Sequence, residues 1–154
     1  MHAASPSRIE AAFTGLVRHG RWLGRLPLLP WFADALFQTA VAIADPGRLR
    51  AMRAVERAAA AWPGVEFGWH RHGGVSCLAD GREFAHLHGC GLLDVWLGRD
   101  IALKCIAEGR ADPHHVFGES GWVSVWVRDA GAVAGAVELL RIAMERRPPP
   151  QPSP

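Results

Sequence analysis

The sequence predicts an α+β fold: N-terminal helices, then an antiparallel β-meander with a fifth strand, with helices packed on one face. Three observations point there. Apolar residues recur at helical spacing up to Trp62, the period changes to two from Val65, and helical spacing returns near the end. Turn signals punctuate the middle at Gly73-Gly74, Asp80-Gly81 and Gly89-Cys90-Gly91.

The elements follow in order. "SPSRIEAAFTGLVRHG" reads as a first helix, with Ser5 or Ser7 as cap, Gly20 as stop, and Ile9, Phe13, Leu16 and Val17 as its stripe. Residues 26–44 carry one charge, Asp34, and contain Pro27 and Pro30. The uninterrupted helical part, residues 31–44, is 14 residues long. A spanning helix needs roughly 20, so a buried helix is expected, with peripheral membrane contact as the alternative. Asp45 caps a third helix with Pro46 in its first position, and the helix stops at Pro63-Gly64. "VEFGWHRH", "VSCLA", "REFAHLH" and "LLDVWL" read as four strands. "RDIALKCIAEG" is a helix, "GWVSVWVRD" the fifth strand, and Asp129 caps a last helix carrying Val133, Val137, Leu140 and Met144. Residues 1–61 are expected to pack on a core of residues 62–147, with 148–154 a disordered, proline-rich tail.

Composition excludes several classes. The 154 residues suit one domain, and 49% hydrophobic residues suit a folded core. A formal charge of +2 with scattered arginines gives no footprint for nucleic acid. The three cysteines form neither CxxC nor an even set, which points to a reducing, cytoplasmic setting, and no secretory signal opens the chain. Neither phosphate-binding glycine motif occurs, and "SGWVSV" is not a nucleophile elbow.

Six of the eight histidines lie between His70 and His115. The three turns predict a register: His72 opposite Val75, His70 opposite Cys77, Ala79 opposite Arg82, Cys77 opposite Phe84, Val75 opposite His86 and His86 opposite Asp94. One face then carries His70, His72, Cys77, Phe84, His86, His88, Asp94 and Trp96, joined by Trp122, Ser124 and Trp126. The other carries Val65, Phe67, Trp69, Leu78, Ala85, Leu87, Leu93 and Val95, an apolar wall for the helices. Convergent imidazoles walled by tryptophan describe a ligand site. Two histidines at i and i+2 on a strand reach one ion, and His114 or His115 offers a third ligand. Asp94 is either a ligand or the acceptor that fixes a ring tautomer. Such a donor set suits zinc, iron, copper or nickel. Cys90 reads as a turn residue, with a reactive thiol or metal ligand as the alternative.

"GREFAHLHGCGLLDVWL", "GRADPHHVFGESGWVSVWV" and "AVELLRIAMER" together resemble the bacterial and fungal luciferase-domain family, over about residues 62–147. The resemblance implies that the family's recurring positions fall on Glu83, His86, His88, Pro113, His114, Gly121 and Trp122. The chain departs from the family pattern at Asp112 and Cys90. Some fungal members are similar to proteins anchored to membranes near their N-termini. A more distant likeness is to the YjbR-like fold. The resulting expectation is a small-molecule enzyme, metal-dependent in one version, acting in specialised metabolism. His86, His88, His114 and Asp94 are its expected catalytic residues. His86, His88 and His114 are also the expected metal ligands. Trp122, Trp126, Trp96, His70 and His72 would line the bound ligand or cofactor. The rival is a non-catalytic binding module or a membrane-peripheral interaction protein.

Overall fold

The computed structural model describes residues 6–19, 28–118 and 120–146. Helix α1 (Arg8–His19) opens on a capping box, the Glu10 N–H donating to Ser7 Oγ at 3.2 Å and the Ser7 N–H to Glu10 Oε2 at 3.3 Å. Ser7 is therefore the cap; Ser5, Gly20 and the proline-rich tail lie outside the described residues. Helix α2 (Leu29–Ala44) takes Pro30 into its first turn, where no N–H is missed. Asp45 caps α3 (Pro46–Ala60) by accepting the Arg48 N–H at 3.0 Å. Helices α4 (Arg99–Ala107) and α5 (Ala130–Arg146) follow, and Asp129 accepts the Gly131 N–H at the start of α5.

Among the described residues the sheet has six strands: β1 (Val65–Trp69), β2 (Val75–Ala79), β3 (Arg82–Leu87), β4 (Leu92–Trp96), β5 (Asp112–Pro113) and β6 (Trp122–Trp126). Their order is β1-β2-β3-β4-β6-β5, every pairing antiparallel. The α+β expectation holds, with β5 as an addition. Two residues, one of them proline, carry no alternation that a sequence reading detects.

Register decides which side chains meet. Asp80 and Gly81, at φ 51° and 70°, make the two-residue turn that pairs Ala79 with Arg82, as expected. Beyond it a β-bulge intervenes: Leu78 faces Glu83 while Cys77 faces Ala85, so Phe84 is the extra residue. The expected pairs Cys77–Phe84 and Val75–His86 are thereby corrected, and Ser76 stands opposite His86. The bulge sends Phe84 into the core, fully buried, and leaves Glu83 beside His86. The first hairpin also differs. Trp69 pairs with Val75, so the loop holds residues 70–74 and the expected pairs His72–Val75 and His70–Cys77 do not form. The turn after β3 follows expectation, with His86 opposite Asp94 and the His88 N–H donating to the Leu92 carbonyl at 2.9 Å.

Helices α3 and α5 cover the face of Cys77, Ala85, Leu87, Leu93, Val95 and Val123 with Met52, Val55, Leu139 and Leu140. Phe67 and Trp69, expected in that wall, are 42% and 79% exposed, on the edge strand β1. Helix α1 is the exception to one-face packing. It lies across the opposite face, its Phe13 packed on Cys90, Leu92 and Trp126. A buried ion cluster holds it there: Glu10 Oε1 accepts from Arg48 Nη2 at 2.9 Å and Arg128 Nε at 2.8 Å. Cys90, buried beneath α1 with its thiol pushed up to about 12 by burial, is neither exposed nor nucleophilic.

The buried-helix expectation for residues 26–44 holds on one side of α2 only. Val41 is fully buried, whereas Phe32, Leu36 and Ile43 form an exposed ridge. Among the described residues no helix is long and apolar enough to cross a membrane. Gly89 lets α2 approach, since a Cβ there would lie 2.4 Å from the Asp34 carbonyl oxygen. That approach allows Asp34 Oδ1 to accept the Gly89 N–H at 2.7 Å, beside His88.

Candidate metal centre

Ser76, His86, Asp94 and Ser124 form one row across β2, β3, β4 and β6, and strand geometry sends all four side chains to the same face. Asp94 is the centre of the row and is fully buried. Its Oδ1 accepts a short hydrogen bond from the Ser124 hydroxyl. Its Oδ2 is surrounded by imidazoles: His86 Nε2 at 3.2 Å, His88 Nε2 at 3.3 Å, His115 Nδ1 at 3.5 Å and His114 Nε2 at 3.7 Å. None of these contacts has the geometry of a hydrogen bond. Among the described residues, four buried side-chain polar atoms lack a hydrogen-bond partner. Three of them, Asp94 Oδ2 and both ring nitrogens of His88, meet here. Buried polar atoms without partners are rare, so three at one point mark a place where a partner of another kind belongs.

Three sets of side chains have convergent ligand atoms: His70–Glu83–His86, His86–Asp94–His114 and His88–Asp94–His115. In the first, Glu83 already takes up His86 Nδ1 and stands 3.6 Å from His70 Nε2. His86 Nδ1 lies 2.9 Å from Glu83 Oε1, Ser76 Oγ donates to Glu83 Oε2 at 2.6 Å, and the His72 N–H donates to His70 Nδ1 at 3.4 Å. The rings of His70 and His86 stack at 3.8 Å, only 6° from parallel. This set is a network that holds His86. The third set contains all three unpartnered atoms. Its two carboxylate–imidazole separations, 3.3 and 3.5 Å, match the ligand–ligand edge of about 3.3 Å that metal bonds of about 2.0–2.1 Å give in a tetrahedron. Asp34 Oδ1 lies 3.7 Å from His88 Nδ1, the side away from Asp94. A carboxylate behind a ligating histidine fixes its tautomer and raises its basicity.

The electrostatics follow from this crowding. Burial disfavours charge on His88, but Asp34 and Asp94 outweigh it and push its pKa up to about 9. Burial likewise opposes His86, and the carboxylates of Asp94 and Glu83 against its two nitrogens still raise it. Asp94, against its own burial, is held well below the carboxylate range by His115, His86 and His88. His70 falls to about 3 through burial and the neighbouring His86, and His114 to about 4, mainly through burial.

Beside the centre lies a cavity of about 360 Å³. His115 and Ser124 line it together with Phe13, Val17, Leu92 and Trp126, and Arg18 and Asp112 also border it. Phe13 touches both the centre and the cavity, its ring 5.2 Å from His88 and 5.9 Å from His115. Of the aromatics expected at the site, Trp126 lines the cavity, Trp122 packs on His86 at 5.5 Å, and Trp96 pairs with Trp122 across the sheet. His72 is exposed, its ring 5.5 Å from that of His70.

The structure brings His70, His86, His88, Asp94 and His114 together, His70 from the loop after β1 and not through the expected pairing with Cys77. It adds Asp34, whose signal was a lone carboxylate in an apolar helix, and Glu83, which only the family resemblance had singled out. His115, an alternative third ligand in the sequence, reaches Asp94 at 3.5 Å.

Fold and centre define an α+β domain with a buried histidine–carboxylate cluster next to an apolar cavity. Residues 81–143 match the family described as Luciferase domain, the family that the sequence resembles. The matched stretch contains Glu83, His86, His88, Asp94, His114, His115 and Ser124. No curated protein and no solved structure gives a significant match.

Proposed function

We propose that the protein is a small-molecule enzyme working with a transition metal held by His88 Nε2, Asp94 Oδ2 and His115 Nδ1. The observation that carries this reading is the set of unpartnered buried atoms on His88 and Asp94, with Asp94 Oδ2 at metal-ligand spacing from both His88 and His115. Two imidazoles and a carboxylate leave coordination positions open, as catalytic sites do and closed structural sites do not. His115 is the ligand that also borders the cavity, so an open position on that side meets whatever the cavity holds. A bound metal supplies a Lewis acid there. The chain supplies the rest: Asp34 sets a carboxylate 3.7 Å behind His88, Ser124 fixes one oxygen of Asp94, and Phe13 with Trp126 gives the cavity an apolar wall. Zinc and iron(II) suit this donor set best, and copper or nickel less well.

Metal analysis of protein purified without a histidine tag tests the reading, followed by substrate screening of the loaded protein. One equivalent of metal, lost in His115→Ala while the fold persists, supports it. Full metal content in His115→Ala contradicts it.

A further inference from the structure

His114 is a member of the second convergent set, where its Nε2 lies 3.7 Å from Asp94 Oδ2. It resembles a metal ligand in position. Its other nitrogen argues otherwise. His114 Nδ1 accepts two backbone hydrogen bonds, from the Val116 N–H at 3.1 Å and the Phe117 N–H at 3.0 Å. A nitrogen that accepts N–H bonds carries a lone pair and no proton. A neutral imidazole then has its proton on the remaining nitrogen, Nε2. A ligating nitrogen needs its lone pair, and Nε2 on His114 has none to offer unless the ring becomes an imidazolate. The ring cannot tumble to the other tautomer cheaply. It is buried, lies between His115 at 4.5 Å and Phe117 at 5.3 Å, and losing Nδ1 as acceptor would strand two backbone donors.

We infer that His114 is not a ligand but a positioning residue: a neutral imidazole locked by the 114–117 turn with its proton on Nε2, presented to Asp94 Oδ2. The role assigned here rests on the metal reading above, because its purpose is to set the carboxylate that would hold the metal; the tautomer itself does not. At 3.7 Å this N–H is not hydrogen-bonded to Oδ2; it acts on that oxygen by charge–dipole attraction, favouring its negative charge between His88 and His115. Ligating carboxylates in metal sites are commonly supported by a neighbouring donor, and loss of such a partner typically costs 10–100-fold in metal affinity. The adjacent pair His114-His115 thus divides its work, one imidazole turning its N–H toward the carboxylate and its neighbour offering a lone pair to the ion.

Long-range ¹H–¹⁵N NMR of the full chain with ¹⁵N-labelled histidine reads the tautomer directly. His114 is assigned by its disappearance in His114→Gln. In metal-free protein at pH 7, His114 Nε2 should resonate as a protonated nitrogen and Nδ1 as a bare one. Adding one equivalent of Zn²⁺ should leave that pattern in place while His88 Nε2 and His115 Nδ1 move to metal-bound shifts. Zinc affinity should fall about 10-fold or more in His114→Ala. His114→Gln, whose amide also donates, should recover most of it. A bare His114 Nε2 in metal-free protein, or one that takes a metal-bound shift with zinc, overturns the inference. So does an affinity in His114→Ala equal to that of the parent. If zinc does not bind, the metal reading fails and the positioning role falls with it, while the metal-free spectrum still decides the tautomer.

Discussion

Zinc binding should expel a proton, and the structure sets how strongly. His88 must be neutral to ligate, yet Asp34 and Asp94 hold its pKa up at about 9 in the metal-free protein. At pH 7 about 99% of the chains therefore carry the proton that zinc must displace. The penalty is about two pKa units, on the order of 100-fold in affinity. Apparent affinity should rise about tenfold per pH unit from 7 toward 9 and then level off. Calorimetry at pH 7 in buffers of different ionisation heat counts the protons, and close to one should leave per zinc. Asp34→Asn keeps an oxygen for the Gly89 N–H but removes the charge behind His88. It should lower the His88 pKa, flatten the pH slope and reduce the proton count. Zinc binding with no proton release and no pH slope between 7 and 9 would refute the reasoning.

Three further outcomes follow. Glu10→Ala leaves Arg48 buried without its best partner; breaking such a pair typically costs about 3–5 kcal/mol, here toward the lower end because Arg48 keeps Asp45 and the Cys90 carbonyl. The melting temperature should drop by about 6–12 °C, and hydrogen exchange in α1 should speed up. Phe84→Ala should cost about 3–5 kcal/mol by chemical denaturation, as expected for a fully buried ring and not for one on the site face. Metal-free stability should peak near pH 6.5. His88, raised to about 9, contributes about 3 kcal/mol fully below pH 6.5 and loses it as pH rises through 9. His70 and His114, lowered to about 3 and 4, take up protons only on unfolding, so stability also falls as pH drops below 6.5. Thermal melts across pH 4–10 check both arms.

Much of this was legible in the sequence, and the failures have physical causes. Periodicity placed helices α1 to α5 and the longer strands because each buries one face, and a buried face leaves a period. The Asp80-Gly81 turn set its first pair, Ala79–Arg82, and the Gly89–Gly91 turn the correct register, because their conformations favour those residues. His86 opposite Asp94 followed from the second of them. The bulge at Phe84 left no such mark: an extra residue in a strand needs no glycine, and it reversed the faces of Glu83 and Phe84. The Gly73-Gly74 turn failed because its glycines serve a longer loop, one of them pressed against the Leu87 carbonyl. Asp34 was visible as an odd charge, but its meeting with His88 depends on where α2 lands, which no local pattern encodes. The choice between His114 and His115 turned on two backbone N–H groups, and side-chain spacing says nothing about those.

The central claim is that His88, Asp94 and His115 hold a metal. Titration of tag-free, metal-stripped protein with Zn²⁺ against a competing chromophoric chelator tests it most directly, with His88→Ala, Asp94→Asn and His115→Ala run alongside and their folds checked by circular dichroism. The account predicts one zinc per chain in the parent and a large loss of affinity in each folded variant. No zinc bound by the parent, or zinc bound equally well by all four proteins, would contradict it.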